Sequence, residues 1–330
     1  MASFPRPRRL RETESIRDLV ADVDLDPKRL ICPLFVKEGL SQPREISTMP
    51  GVYQHTLDSM CKKVDQLLAQ SVTSVMLFAV TDNKDEDGGV ACRDEFILQR
   101  ALDVLTDRYG GSLTTFADLC LDEYTTHGHC GVLDSNGRVD NDATLVRYQD
   151  IAKSFAHHGV DFVAPSGMMD HQVAAIREAL DGTAATGVGI LAYSAKYASS
   201  LYGPFRDAVE VSIANGGDRS SYQQDIRNGR EALREVDLDV AEGADLIMVK
   251  PASYFLDIIA QVGARSPVPV AAYQVSGEYA MIMAAGATGA IDARMTARES
   301  LVSITRAGAP IILTYFADRI DAIMTGKGWP

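Results

Sequence analysis

Cysteine is scarce in this 330-residue chain: five residues, an odd number, placed between Cys32 and Cys130. That count excludes a disulfide framework, and Cys32, Cys61 and Cys92 read as small buried hydrophobes. Positive charge is also short, because 32 Lys and Arg face 45 Asp and Glu and leave a net charge of -13. Such a chain has no long-range attraction to a phosphate backbone, so nucleic acid is not an expected partner. A local basic cluster of Arg6, Arg8, Arg9 and Arg11 is interrupted by Pro5 and Pro7, and no long apolar segment follows. This pattern excludes a signal peptide or membrane anchor and leaves a soluble cytoplasmic protein as the expectation. A phosphate-cradling glycine loop is missing as well.

What is present is apolar material in regular doses. Hydrophobic residues make up 46% and charged ones 23%, enough for a large core. Eight apolar runs recur, at residues 29–36, 74–80, 114–124, 161–167, 187–196, 244–252, 267–277 and 309–318. They are nearly continuous in Val, Ile, Leu and Ala, as strands covered on both faces are. Amphipathic stretches such as residues 56–70, 145–159, 169–182, 228–243 and 278–289 separate them, and Gly159, Gly182 and Gly243 fit left-handed helix ends. Eight strands alternating with helices predict an α/β fold, a closed (β/α)8 TIM barrel, over residues 29–330. Residues 1–28 lack apolar periodicity and read as an extended N-terminal arm that lies on a neighbouring subunit.

The polar residues fall at the C-terminal ends of the runs: Asp118 to Asp122, Ser166, Lys196, Lys250, Ser276 and Tyr315. In a barrel those ends surround one mouth, the face that carries the active site. Lys196 and Lys250 each close a strand, and desolvation there turns an ammonium into an amine nucleophile. Either one alone is equally a structural ion pair; two on adjacent strands favour a shared site for carbonyl substrates. The long segment after Lys196, YASSLYGPFRDA followed by GGDRSSYQ, reads as a lid. Within it Arg206 and Arg219 suit bidentate recognition of a carboxylate, with solvated loop arginines as the alternative. The segment DLCLDEYTTHGHCG offers Cys120, Asp122, His127, His129 and Cys130 as metal ligands. Strand alternation puts Cys120 and Asp122 on one face, and a turn at Gly128 returns Cys130. Thiolates favour zinc, a carboxylate also suits magnesium, and reduced cysteines with surface histidines are the plainer reading.

SAKYASSLYGPFRDA, MVKPA, VAAYQVSGEYAMI, ILTYFA and DLCLDEYTTHGHCG each resemble a signature of the porphobilinogen synthase (delta-aminolevulinic acid dehydratase) family, and weaker similarity covers nearly the whole chain. The resemblance implies condensation of two 5-aminolevulinate molecules to porphobilinogen, with loss of two waters, in tetrapyrrole (heme) synthesis. It implies that Lys250 forms a Schiff base with the substrate that becomes the propionate side and Lys196 with the one that becomes the acetate side. By the same resemblance Ser276 and Tyr315 hold one carboxylate, and Arg206, Arg219 and Gln223 the other. Asp118 and Ser166 line the floor, Tyr202 and Phe205 belong to the lid, and Glu235 matches an accessory magnesium site. Zinc-dependent members have three cysteines where this chain has Cys120, Asp122 and Cys130, so zinc is expected, held more weakly than by three thiolates, or the site is vestigial. Gly167 and His171 stand where the family has Asp and Gly, and residues 228–231 lack its double arginine. Family analogy implies a homo-octamer. Two rivals remain: a Schiff-base aldolase with one reactive lysine, and a barrel that binds a metal or carboxylate without turnover.

Overall fold

The computed structural model describes residues 5–213 and 218–329. Its strands in chain order are β1 (Leu30–Lys37), β2 (Arg44–Glu45), β3 (Tyr53–His55), β4 (Ser74–Val80), β5 (Thr114–Leu119), β6 (Phe162–Pro165), β7 (Gly189–Lys196), β8 (Leu246–Lys250), β9 (Val270–Gln274) and β10 (Ile311–Thr314). Strands β1 and β4 to β10 pair in parallel in that order, and β10 pairs back to β1, so the sheet closes into the expected eight-stranded barrel. The short β2–β3 hairpin adds beside β1. Barrel strands are buried along almost their whole length, which is why they read as continuous apolar runs.

The helices are α1 (Glu14–Leu19), α2 (Leu57–Ala69), α3 (Ile97–Tyr109), α4 (Asn141–His157), α5 (Gln172–Asp181), α6 (Gly203–Val209), α7 (Gly229–Ala241), α8 (Leu256–Gly263), α9 (Ser276–Ala287), α10 (Ala293–Ala307) and α11 (Ile320–Thr325). Local chemistry explains their starts. Thr56 and Ser59 form a reciprocal capping box on α2, whose buried Met60, Val64 and Leu67 repeat at helical spacing. Asp140 caps α4 by accepting from the Ala143 N–H, and Thr144, Tyr148, Ile151, Ala152 and Phe155 form its buried stripe. Asn228 caps α7 through the Glu231 N–H, which gives the 228–231 segment a structural role of its own.

Several expectations need correction. The third run leaves the sheet at Leu119, because residues 120–125 fold into turns, so Cys120 and Asp122 are not related by strand alternation. Ser276 opens α9 instead of ending β9. Gly159 and Gly243 have the expected positive φ, but Gly182 is right-handed at φ -70. The proline-rich arm holds a 3-10 turn at Pro7–Arg11, with proline at its first position, followed by α1. The lid is partly helical, with a 3-10 turn at Ser200–Tyr202 and then α6. Its Gly216 and Gly217 lie outside the described residues.

At the end of the barrel opposite the mouth, carboxylates staple one strand start to the next. Asp161 accepts from both the N–H and the hydroxyl of Thr115, at 2.7 and 3.0 Å, and Asp245 accepts from the Ile190 N–H at 2.8 Å. Asp161→Ala leaves both Thr115 donors without that acceptor and is expected to lower stability by about 1–3 kcal/mol. Thermal unfolding should show a Tm lower by a few degrees, with turnover unchanged because the mouth is untouched.

Candidate active site

Lys196 and Lys250 are direct register partners at the mouth ends of β7 and β8. Neighbouring strands lie about 4.8 Å apart, and in-register residues share a face, so the two amines point into the same space. Both Nζ atoms lie over one ring, that of Tyr193, at 5.6 and 5.1 Å from its centroid. In an unbroken strand residues 193 and 196 face opposite sides, but a register shift between Ala192 and Ala195 resets the alternation. Tyr193 is therefore a site residue that parity on the sequence misses.

Lys250 is boxed by three further rings: Tyr273 at 4.5 Å, Tyr202 at 5.0 Å and Phe205 at 5.3 Å. Aromatic faces attract an ammonium, yet they also strip it of water. Burial, and then the charge of Lys196, lower the Lys250 pKa to about 7, with Asp118 pulling the other way. Asp118 is itself pushed up to about 6 by burial, against the pull of Lys196 and Lys250. Its Oδ2 accepts from the Ser166 hydroxyl at 3.1 Å, while Oδ1 has no hydrogen-bond partner among the described residues. The Lys196 ammonium donates to the Ser166 carbonyl. The floor thus pairs a proton-exchanging carboxyl with two unlike amines.

The lid segment covers this floor. Ser276 Oγ accepts from the Phe205 N–H at 2.9 Å and donates to the Leu201 carbonyl at 3.2 Å. Gly277 permits that approach, since an added Cβ would sit 2.5 Å from the Leu201 oxygen. Tyr315 shares a 2.9 Å hydrogen bond with Tyr273. Phe205 packs edge-on against Phe78 at 5.1 Å, anchoring the lid to β4. Arg206, Arg219, Gln223 and Tyr202 line a cavity of about 270 Å3 beside the lid. Gln223 Nε2 and Arg219 Nε are buried there without partners among the described residues, donors suited to an incoming carboxylate.

Cys120, Asp122 and Cys130 are all buried and place one ligand atom each within 4.8 Å of one another. A hydrogen bond from Cys120 and the charge of Arg219 bring the Cys130 thiol down to about 7 against burial, whereas burial drives Cys120 well up. Burial would raise Asp122, but Arg219 and Lys196 outweigh it and hold the carboxyl below the usual range. Arg219 donates to Asp122 at 2.7 Å and to the Gly128 carbonyl at 3.0 Å, so it joins the carboxylate cavity to the cysteine cluster. Two sulfurs and a carboxylate, one thiol ready to ionise, fit a thiophilic dication. His127 and His129 are not part of the cluster: one ring meets the Glu86 carbonyl and the other the Tyr222 hydroxyl. Glu235 lies apart on α7, half-buried, beside a cavity of about 530 Å3 with Asp170 and Glu242, and burial and these acids raise its pKa. Among the described residues it belongs to no three-ligand group.

The nucleophile is the neutral amine, so imine formation at Lys250 should rise with pH through about 7. Trapping with 4-oxopentanoate and cyanoborohydride is expected to run about tenfold faster at pH 8 than at pH 6. Asp118→Asn removes a charge that favours the ammonium and should move the profile to lower pH. A rise of about tenfold per pH unit that continues to pH 9 without levelling, as an amine of ordinary pKa gives, contradicts the assignment.

Comparison with known proteins agrees with this geometry. Residues 4–323 match the family model described as delta-aminolevulinic acid dehydratase. A delta-aminolevulinic acid dehydratase of Mycobacterium tuberculosis is 53% identical over 333 residues, covering 100% of this chain and 99% of the relative. One from Streptomyces coelicolor is 53% identical over 322 residues, covering 96% and 97%. The crystal structure of the Toxoplasma gondii enzyme, delta-aminolevulinic acid dehydratase (porphobilinogen synthase) in complex with its product porphobilinogen, superposes with a TM-score of 0.95 at 38% identity, covering 99% of this chain and 95% of that one. With its barrel and its sequence in agreement, the chain belongs to the delta-aminolevulinic acid dehydratase family.

Proposed function

We infer that this hydro-lyase of heme biosynthesis joins two 5-aminolevulinate molecules into porphobilinogen, with loss of two waters, through Schiff bases at Lys250 and Lys196. The register pairing of those two lysines in one covered mouth carries the reading. Lys250, the amine with the lowered pKa, attacks the ketone of the substrate whose carboxylate reaches Ser276 and Tyr315. Its imine withdraws electrons and activates that carbon. The second substrate places its carboxylate against Arg206, Arg219 and Gln223 and its ketone at Lys196. Asp118, titrating near 6 with one oxygen free, moves protons as each carbinolamine loses water. Tyr202, Phe205 and the rest of the lid exclude bulk water, which otherwise returns the imines to ketones.

Cys120, Asp122 and Cys130 would hold zinc, which supplies Lewis acidity for a substrate amine or water beside Lys196. Glu235 is proposed to hold an accessory magnesium, a reading supported by the negative charge that Asp170 and Glu242 add; elemental analysis of Glu235→Ala tests it. Residues 1–28 are proposed as the arm for a homo-octamer, supported by the exposure of Leu10, Leu19 and Val20; sedimentation with and without the arm tests this. No described helix is long and apolar enough to cross a membrane, which is compatible with a cytoplasmic location, to be checked by cell fractionation.

Incubation with 5-aminolevulinate and borohydride, followed by peptide mapping, is expected to find adducts at both Lys196 and Lys250 and a pyrrole product in the unreduced control. Lys250→Met and Lys196→Met should each lose turnover by at least about a thousandfold while folding normally. One adduct without pyrrole identifies an aldolase-like reaction, and no adduct identifies binding alone.

A further inference from the structure

Two glycines near the cysteine cluster approach helix α4 more closely than a residue with a side chain permits. A Cβ added at Gly167 would lie 1.8 Å from the Tyr148 hydroxyl, and one at Gly131 would lie 2.6 Å from both Thr144 Oγ1 and Val139 Cγ1. Thr144 and Tyr148 are one turn apart on the same face of α4, and both are fully buried. Each bonds the backbone of the segment that begins at Cys130. Tyr148 donates its hydroxyl proton to the Cys130 carbonyl at 2.7 Å, and Thr144 Oγ1 accepts from the Val132 N–H at 3.0 Å. Thr144 gives its own proton to the Asp140 carbonyl at 2.6 Å, which leaves its lone pairs for Val132. The Cys130 N–H meets the Tyr222 hydroxyl only at 3.4 Å, a weaker restraint.

The same Tyr148 hydroxyl therefore touches two segments of the site. On one side is Cys130; on the other is Gly167, next to Ser166, whose carbonyl receives Lys196 and whose hydroxyl meets Asp118. A side chain at 167 would displace the hydroxyl, which gives a physical reason for glycine at this position. Metal–thiolate bonds of about 2.3 Å tolerate little displacement, so groups that orient the ligand-bearing backbone set the affinity of the site.

We propose that Thr144 and Tyr148 form a clamp on α4 that positions Cys130, and with it the Cys120–Asp122–Cys130 donor set beside Lys196, and that Gly131 and Gly167 are the clearances this clamp requires. Thr144 and Tyr148 are positioning residues and touch no substrate. The consequence for metal binding rests on reading the cluster as a metal site; the placement of Cys130 does not.

The test uses the full chain, metal-free, as wild type, Y148F, T144V, G167A and the Y148F/G167A double variant. Iodoacetamide alkylation is followed cysteine by cysteine, and zinc affinity is measured by competition with a chromophoric chelator. Y148F and G167A are expected to speed alkylation of Cys130 about fivefold, the factor for local opening after loss of one buried hydrogen bond, while Cys32 and Cys61 keep their wild-type rates. Zinc affinity should fall about 10- to 100-fold. G167A should add less in the Y148F background, because the hydroxyl it displaces is already gone. T144V leaves Tyr148 in place and should give the same selective rise if Y148F does not fold. Unchanged Cys130 labelling in the folded variants overturns the clamp, as does an equal rise at Cys32, which signals general loosening. If Cys130 responds but even the wild type binds no zinc, the clamp stands and the metal reading fails.

Discussion

Holding two ammonium groups side by side in a site stripped of water is the constraint on which this mouth depends. At the spacing of adjacent strands and an effective dielectric near 20, two unit charges repel by about 3 kcal/mol, or roughly two pKa units, before any loss of hydration is counted. Lys196 and Lys250 start from register positions on adjacent strands, and the charge of Lys196 is second only to burial in lowering the Lys250 pKa. The strain is relieved by making the lysines unlike: Lys196 donates to the Ser166 carbonyl, while Lys250, among aromatic rings, gives up its proton near pH 7.

Much of the surrounding architecture follows from that asymmetry. The Tyr193 ring faces both amines, and Tyr202 and Phe205 of the lid face Lys250. Asp118 offers a carboxyl that burial keeps near neutral titration, between the lysines and the cysteine cluster. Arg219 ties Asp122 to the cavity proposed for a carboxylate, so one guanidinium spans the cavity and the cysteine cluster. A change at either end is felt at the other, because the pair is buried and neither charge has water to fall back on.

Strands covered on both faces write themselves into the sequence as apolar runs, which is why the barrel and the strand-end lysines were legible without coordinates. What escaped depends on local geometry that composition does not encode. The parity reset near Ala192 hid Tyr193, and the turns after Leu119 replaced the strand alternation invoked to join Cys120 with Asp122. Those two side chains still meet Cys130, by a turn instead of a strand. Helices α3, α8 and α10 went unremarked between clearer segments. His171 holds a left-handed φ of 63 at the start of α5, with its ring on Glu242. The need for glycine at 167 comes from the Tyr148 hydroxyl, which occupies the space a Cβ would fill and lies distant in sequence.

The most direct measurement is competitive trace acetylation of the free enzyme across pH 6 to 11, with each lysine quantified by mass spectrometry. Lys250 is expected to titrate near pH 7, about three units below a free lysine model peptide labelled in the same mixture. If Lys250 instead titrates alongside that peptide, burial beside Lys196 carries no penalty, and the assignment of Lys250 as the first nucleophile is wrong.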